Sequence, residues 1–563
     1  LRLENSVAVI KYLIASILVG VILGIGGAFA AQGFRSGIVI ISNYAENLFG
    51  QDPNFFFYLI TLSVALILVH YSRILVNGEP FQSVADSIYL AHKSNNETDL
   101  KVGFISTLAA FFSASGGASI GQYGPLVHFG TTLGAWLKKT VPFNFTPDLY
   151  IGAGVAASIS SGFGAPLAGL IFAHEAILRH YSHKSILAIA TASGISYAVS
   201  TGIWGDTNII NVSSENFNLL LMLVISFLAG PIFGLIAIIY MKSLLLFANL
   251  ANSPKVRVFY KYSFCILSLS IIGHFMPEVM GLGTETVSGI LYSSYTLIFL
   301  VIILLGKIIA TSISLNFGFF GGVFSPAILV GAAAGAVVSA LLVTLGIFED
   351  FQQALVISGI AAVAGAVIGA PICMVIIVLE LTNSYAYALA SLVGLAISVG
   401  YVQVRFGSSY FDVQLLNRGI DISDGRTGLF MTETDILRFA DPNFNTIKES
   451  ETVADAISLM SKIDQSELIV VNQSGEFVGK TNSLSLFNKQ GPLSSVDVID
   501  KDCVFIKHDA SVQSAMEIAS DFVGEIIPIV QTDQNKAVAI ITEGAIFQAY
   551  LSKQSQTVEM EKR

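Results

Sequence analysis

Gly and Pro cluster inside four short apolar pieces of the chain, residues 116–134, 147–177, 318–345 and 356–381. A helix that stops at such a point leaves N–H groups of its first turn without intrahelical partners, and the helix dipole adds positive potential there. Inside a membrane domain this combination makes an anion site that needs no Lys or Arg. Irregular backbone at that depth has to be buried in protein or line a polar cavity. Close helix packing explains many of the 50 glycines. It does not explain why Gly and Pro stand together at the breaks.

The broken pieces repeat. Gly164-Ala165-Pro166 is followed by Glu175, nine residues after the proline; Gly369-Ala370-Pro371 is followed by Glu380 at the same distance, and the offset is 205 residues. Pro125 and Gly130 stand five apart, as do Pro326 and Gly331, at an offset of 201. Two such halves fit an internally duplicated channel or transporter body, often inverted. No Ser-His-Asp arrangement, metal cluster or phosphate loop is readable, so the chain is not expected to be an enzyme. Cys265, Cys373 and Cys503 lack ligand spacing, which argues against a metal site and a disulfide scaffold.

Long apolar helices must position these pieces. A bilayer core of about 30 Å needs roughly 20 apolar helical residues. Residues 10–33, 56–75, 216–242, 263–275 with 286–305, and 385–404 qualify. Lys11 stands near the start of the first span, but no cleavage pattern follows, so it is read as a span and not a signal peptide. Charged residues make up 12% of the chain, and the mean hydropathy is +0.72. A soluble protein carries about 25% charge. Residues 421–563 hold 12 Lys and Arg against 22 Asp and Glu, the whole net charge of −10; residues 1–420 balance at 17 of each. The chain is therefore a membrane body over 1–420 and an acidic tail over 421–563. This excludes a single soluble globule, a disordered chain and a nucleic-acid partner recognised through global charge. Arg179, His180, His183 and Lys184 form one basic turn, and Lys242, Lys255, Arg257 and Lys261 another. The loop between them has Asp206 and Glu215 and no Lys or Arg, so two crossings would leave both basic loops cytoplasmic.

These motifs together resemble the CLC family of chloride channels and anion/proton exchangers, over nearly the whole chain. Val76-Asn77-Gly78-Glu79-Pro80 resembles the first selectivity motif, Gly-Ser-Gly-Ile-Pro. Gly121-Gln122-Tyr123-Gly124-Pro125 resembles the second, Gly-Arg/Lys-Glu-Gly-Pro, and Gly322-Val323-Phe324-Ser325-Pro326 fits the third, Gly-x-Phe-x-Pro. Ser408 to Gln414 is similar to the last-helix segment Ser-Ser-Ile-Tyr-Asp-Val-Gln, and the run from Gly164 to Gly169 also fits. The resemblance implies an all-α polytopic membrane fold with inverted repeats and broken helices. It also implies a homodimer in the lipid of a plasma or bacterial inner membrane, with one pore per subunit and chloride as the substrate. Backbone N–H groups near Val323 and Phe324, and around Gln122, Tyr123 and Gly124, would face the ion, with Asn77 and Gly78 beside it.

Several positions depart from the family pattern. Asn77 replaces the serine; its carboxamide can donate two hydrogen bonds where a hydroxyl donates one, or it can cap the following helix. Tyr123 stands where the family has a glutamate that competes with chloride and carries protons. A phenol, with a reference pKa near 10, is neutral at physiological pH, so Tyr123 is expected to act as a neutral aromatic gate. Ala176 falls at the exchangers' inner proton-relay glutamate and cannot titrate. Glu175 is its neighbour, about 100° around the helix. Phe411 aligns with the family's inner tyrosine, and Tyr410 takes that role if the register slips by one. His128 is either a further anion donor or a packing residue. With both proton stations gone, passive chloride conduction is expected; a chloride/proton exchanger, a carrier of another small anion and a non-conducting scaffold are the rivals.

The tail reads as two similar α/β units, 443–487 and 503–550. Helical runs at Val453–Met460 and Val512–Ala519 are each followed by strand-like segments, Leu468–Val471 with Phe477–Gly479, and Ile526–Val530 with Ala537–Thr542. The pair resembles CBS modules, which the family places in the cytoplasm. Adenine-nucleotide binders of this kind carry Asp three residues after a Thr or Ser. Here Leu484 follows Thr481 and Ala545 follows Thr542, so a bound nucleotide is not expected.

Overall fold

The computed structural model describes residues 2–49, 54–93, 98–141, 143, 145–181, 184–205, 217–253, 257–292, 295–346, 351–423 and 425–562. His183, Asp206, Glu215 and Lys255 of the loops above lie outside them. The chain divides into two units, Leu1–Gly419 and Ile420–Arg563. The first is helical. Among the described residues eight helical segments are long and apolar enough to cross a membrane. Their outer faces carry bare apolar side chains such as Ile40, Leu228 and Ile298, as a surface solvated by lipid requires.

Three spans differ from the sequence reading. Residues 286–305 are not one span: the short helix Thr284–Leu291 ends, and a new one, Leu297–Phe317, begins. Ile186–Trp204 is a further candidate span. Residues 318–345 break only near their start, and Phe324–Thr344 is one helix. Its glycines are contact points. A Cβ on Gly331 would run into the carbonyl of Gly359, and one on Gly335 into that of Leu355. They let Phe324–Thr344 lie against Gln352–Ile368 at backbone distance.

The first half repeats the arrangement. Gly130 and Gly134, on Tyr123–Thr140, meet the carbonyls of Gly154 and Tyr150 on Pro147–Phe163. Both second helices end on a left-handed glycine, Gly164 (φ 70°) and Gly369 (φ 78°), the favoured residue for that turn. A proline then opens each next helix, Pro166–Phe172 and Pro371–Thr382. The repeated glutamates exchange places. Glu175 accepts from Ile372 N (2.9 Å) and Cys373 N (2.7 Å), and Glu380 accepts from Leu167 N and Ala168 N, both at 2.8 Å. Each half caps the other's proline helix. Such reciprocal contacts are those of two units related by a two-fold axis.

The second unit holds two three-stranded sheets. In one, β1 (Thr446–Lys448) pairs parallel with β2 (Glu467–Val471), which pairs antiparallel with β3 (Phe477–Asn482). In the other, β4 (Ile506–Lys507), β5 (Ile527–Gln531) and β6 (Lys536–Ile541) repeat the pattern. Helices Val453–Ile463 and Val512–Ala519 cover them, and Val453, Ala456, Leu468 and Val470, with Val512, Ala515, Ile527 and Ile529, fill two matching cores. A buried ion pair joins the sheets. Lys480 Nζ donates to Glu467 Oε2 (2.8 Å) and to Ile526 O (3.2 Å), while Glu467 Oε2 accepts from Glu525 N and Ile526 N at 3.0 Å. The ammonium also lies 4.8 Å from the ring centroid of Phe522.

Removing one partner of a buried, hydrogen-bonded ion pair costs about 3–5 kcal/mol, while replacing both by apolar groups costs far less. Lys480→Met is therefore expected to lower the unfolding midpoint of the tail transition in the full-length protein, and Lys480→Met with Glu467→Leu to recover much of it; calorimetry checks this. In the body, Gly331→Ala has no room for its methyl group, and overpacking of this kind costs about 1–3 kcal/mol. A thermal-unfolding series in detergent should show the loss for Gly331→Ala and none for Gly33→Ala, whose Cβ would meet nothing within 4 Å.

Candidate functional site

Two helix N-termini from the two halves meet at the centre of the body. Gly121 N donates to Gly322 O (2.7 Å), and Gly322 N donates to Gly121 O (2.8 Å). The approach excludes side chains: a Cβ on Gly121 would lie 2.8 Å from Gly322 O, and one on Gly322 would lie 2.9 Å from Gly124 N. The helices Tyr123–Thr140 and Phe324–Thr344 start directly after this bridge, with Gln122 and Val323 at their N-cap positions and no side-chain cap on either. Their first-turn N–H groups, at Tyr123, Gly124, Phe324 and Ser325, are the uncapped ends that favour an anion. Tyr240 Oη donates to Val323 O at 3.2 Å and holds that turn.

A cavity opens against these ends, bordered by Val84, Gly124, Gly322, Val323, Tyr410 and Phe411. Two short helices complete it, Val84–His92 and Tyr410–Leu416. Both carry a capping box, Ser83 with Asp86 and Ser409 with Asp412, so side chains already occupy their end donors. Both acids also pair with arginine: Asp86 Oδ1 is 2.7 Å from Arg418 Nη1, and Asp412 pairs with Arg179. Tyr410 and Phe411 are both buried at the cavity, and Tyr410 Oη accepts from Gln414 Nε2 at 3.2 Å. The structure brings both rings to the cavity, and Tyr410 brings the hydroxyl.

Tyr123 borders a second cavity. Its ring is 2% exposed, stacks on Phe163 (centroids 3.7 Å, planes 16°) and meets Phe324 edge-on at 5.5 Å. Tyr123, Phe163 and Ser325 border that cavity together with Leu282, Gly283 and Thr284. Tyr123 and Ser325 thus face one cavity, and their chain neighbours Gly124 and Phe324's N-cap Val323 face the other. The aromatic cluster sits where the paired N-termini separate the two. Gln122 N donates to Ser325 Oγ (3.3 Å), and the buried Gln122 Oε1 has no hydrogen-bond partner among the described residues.

Asn77 and Gly78 are not brought to the site. Both are exposed, in left-handed conformation (φ 54° and 79°), with Gly78 N donating to Arg73 O. They form the C-terminal turn of helix Phe55–Leu75, a role Asn and Gly fill readily. The capping box at Ser83 starts the next helix at Val84, so the residues that reach the cavity are Phe81, Ser83 and Val84. The Ser83-to-Asp86 spacing is the signal that marks that start. Arg418, also at the cavity, had no local signal. His128 is committed to packing: Nδ1 lies 2.9 Å from Ser87 Oγ, and Nε2 lies 3.1 Å from Gln82 Oε1. Ala176 is buried in a single π-turn, Ala173–Leu178, and its neighbour Glu175 is spent as a helix cap.

Residues 80–403 match the family described as voltage gated chloride channel, and residues 432–479 and 495–552 match the CBS domain. An uncharacterized protein of Methanocaldococcus jannaschii is 25% identical over 403 residues, covering 71% of this chain and 94% of its own. The H(+)/Cl(-) exchange transporter ClcA of Vibrio parahaemolyticus is 26% identical over 331 residues, 57% of this chain and 69% of its own. The crystal structure of a slow cyanobacterial Cl−/H+ antiporter superposes with a TM-score of 0.64 at 19% identity, over 72% of this chain and 98% of that one. With most of the body inside the family match and two CBS domains after it, the chain is an integral membrane protein of the voltage-gated chloride channel (CLC) family.

Proposed function

We propose that this CLC protein is a passive chloride channel, one path in each subunit of a homodimer, with Tyr123 as its gate. The observation that carries the reading is the neutral phenol ring of Tyr123, stacked on Phe163 beside the uncapped N-termini where the family has a carboxylate. Uncapped N–H groups bind chloride without a formal charge and release it readily, as conduction requires. Ala176 offers no proton at the inner station, and Glu175, bonded to two backbone N–H groups, is held in place as a cap. Asn77, exposed in a helix-ending turn, has no part in the path.

The body lies in a plasma or bacterial inner membrane, with the CBS pair in the cytoplasm as a structural or dimerising accessory. Thr481 Oγ1 donates to Val498 O at 2.9 Å, and Thr542 Oγ1 accepts from Ala545 N at 3.2 Å. Both hydroxyls that would mark a nucleotide site are thus used within the fold. On this reading the protein carries an anion and is not an enzyme, and a nucleotide at the CBS pair is not expected.

In proteoliposomes a chloride gradient is expected to collapse without moving protons uphill; sustained proton uptake or release against a gradient contradicts the channel reading. Tyr123→Ala should raise chloride flux by roughly tenfold, the effect of about 1.4 kcal/mol off the barrier. Tyr123→Glu should make flux pH-dependent. A carboxylate competes with chloride and its protonated form does not, so flux should fall as pH rises through the carboxyl range. A flat profile for Tyr123→Glu removes Tyr123 from the path.

A further inference from the structure

Tyr240 stands in the apolar span Leu219–Ala251, and its side chain is fully buried. A buried hydroxyl costs stability unless it is bonded, and this one donates to Val323 O at 3.2 Å. Its place is fixed from the same helix face, where residues three and four apart are neighbours. Three residues on, Ser243 Oγ bonds Ser312 Oγ (2.9 Å), and four residues on, Leu244 O accepts from Asn316 Nδ2 (3.2 Å). Both partners belong to Leu297–Phe317, the helix that leads to Gly322. On the N-terminal side, Gly234 lies against the backbone of Ser398, whose carbonyl would be 2.9 Å from a Cβ there. The phenol is carried on a braced helix.

The carbonyl that Tyr240 bonds belongs to the peptide unit whose other end is the Phe324 N–H. In a planar trans peptide the C=O and the N–H point in opposite directions. Val323 O faces into the helix, where it also accepts from Ala327 N (3.1 Å). The Phe324 N–H faces the uncapped end beside the cavity that Val323 borders. Donation into the oxygen draws electron density from the nitrogen and makes the N–H a stronger donor; linked hydrogen bonds reinforce one another by roughly 10–30% each. It also fixes the peptide plane, and so the direction of the N–H. The other half lacks this device. Its matching carbonyl, Gln122 O, accepts from Leu126 N (3.2 Å), and among the described residues no side chain donates to it.

We propose that Tyr240 is a positioning residue for the bound anion: through Val323 O its hydroxyl orients and polarises the Phe324 N–H, and so strengthens the chloride site at that helix end. The proposal rests on the reading of the uncapped N-termini as a chloride site. It concerns a side chain that does not border the cavity, and it needs no formal charge. The hydroxyl contributes to affinity, and the ring only to packing.

The test is equilibrium binding of chloride and of thiocyanate to the full-length protein in detergent, by isothermal titration calorimetry, for wild type and Tyr240→Phe. Phe keeps the ring and leaves Val323 O bonded to Ala327 N, so no carbonyl is orphaned. The expected result is a chloride dissociation constant raised about threefold in Tyr240→Phe, with a smaller rise for thiocyanate, the weaker hydrogen-bond acceptor. Wild-type chloride affinity in Tyr240→Phe overturns the proposal. So does an equal loss for both anions, which marks a turn that has merely loosened. Where Tyr240→Phe does not fold, Tyr240→fluorotyrosine decides, because its more acidic hydroxyl is the stronger donor: tighter chloride binding than wild type supports the proposal, and equal or weaker binding overturns it. A wild-type protein that binds no chloride fails the chloride site and the proposal together. Chloride binding that is indifferent to the Tyr240 hydroxyl fails the proposal alone.

Discussion

The mutual approach of Gly121 and Gly322 is the constraint on which the body depends. Two carbonyls and two N–H groups satisfy one another across the joint between the halves, at a distance no side chain permits. Because each bond closes at the last residues before a helix, the helices that follow start side by side with their first turns open. Capping by a side chain would stabilise each helix by about 1 kcal/mol, and neither helix has one. The duplicated fold forgoes that stabilisation at its centre and takes it at the periphery, where Glu175 and Glu380 cap each other's half.

The same economy separates the four helices around the first cavity. The two long ones present bare ends. The two short ones, beginning at Val84 and Tyr410, are closed by Asp86 and Asp412, and arginines neutralise those acids. Negative charge is present near the cavity but is occupied twice over, by backbone donors and by guanidinium. An anion entering there meets open N–H groups on one side and compensated carboxylates on the other.

Much of this was legible in the sequence, and the failures have physical causes. The repeat, the broken pieces 116–134 and 318–345, and the two tail units followed from Gly-Pro spacing and from strand alternation, because those patterns record backbone geometry directly; Gly121 and Gly322 themselves were marked by the family resemblance. Asn77 misled because a Gly-Pro motif also ends a helix, and only the capping box six residues later says which helix the turn belongs to. Gly331 and Gly335 looked like breaks because glycine that admits a neighbouring backbone and glycine that ends a helix are the same letter. Arg418 and Phe163 were invisible for a different reason: they reach their cavities through contacts with partners far away in sequence, which no local window contains.

On the proposed reading, the departures at positions 123 and 176 leave the candidate anion site untouched, because that site is made of main chain. A carboxylate at 123 would be a second anion at the same N-termini, and removing it leaves the N–H groups where they were. A tyrosine there adds a ring that stacks on Phe163 and so belongs to the wall. Selectivity for an anion is then a property of the fold, held by Gly121 and Gly322. On the proposed channel reading, the handling of protons would rest on the side chains at 123 and 176, and in this chain neither is an acid.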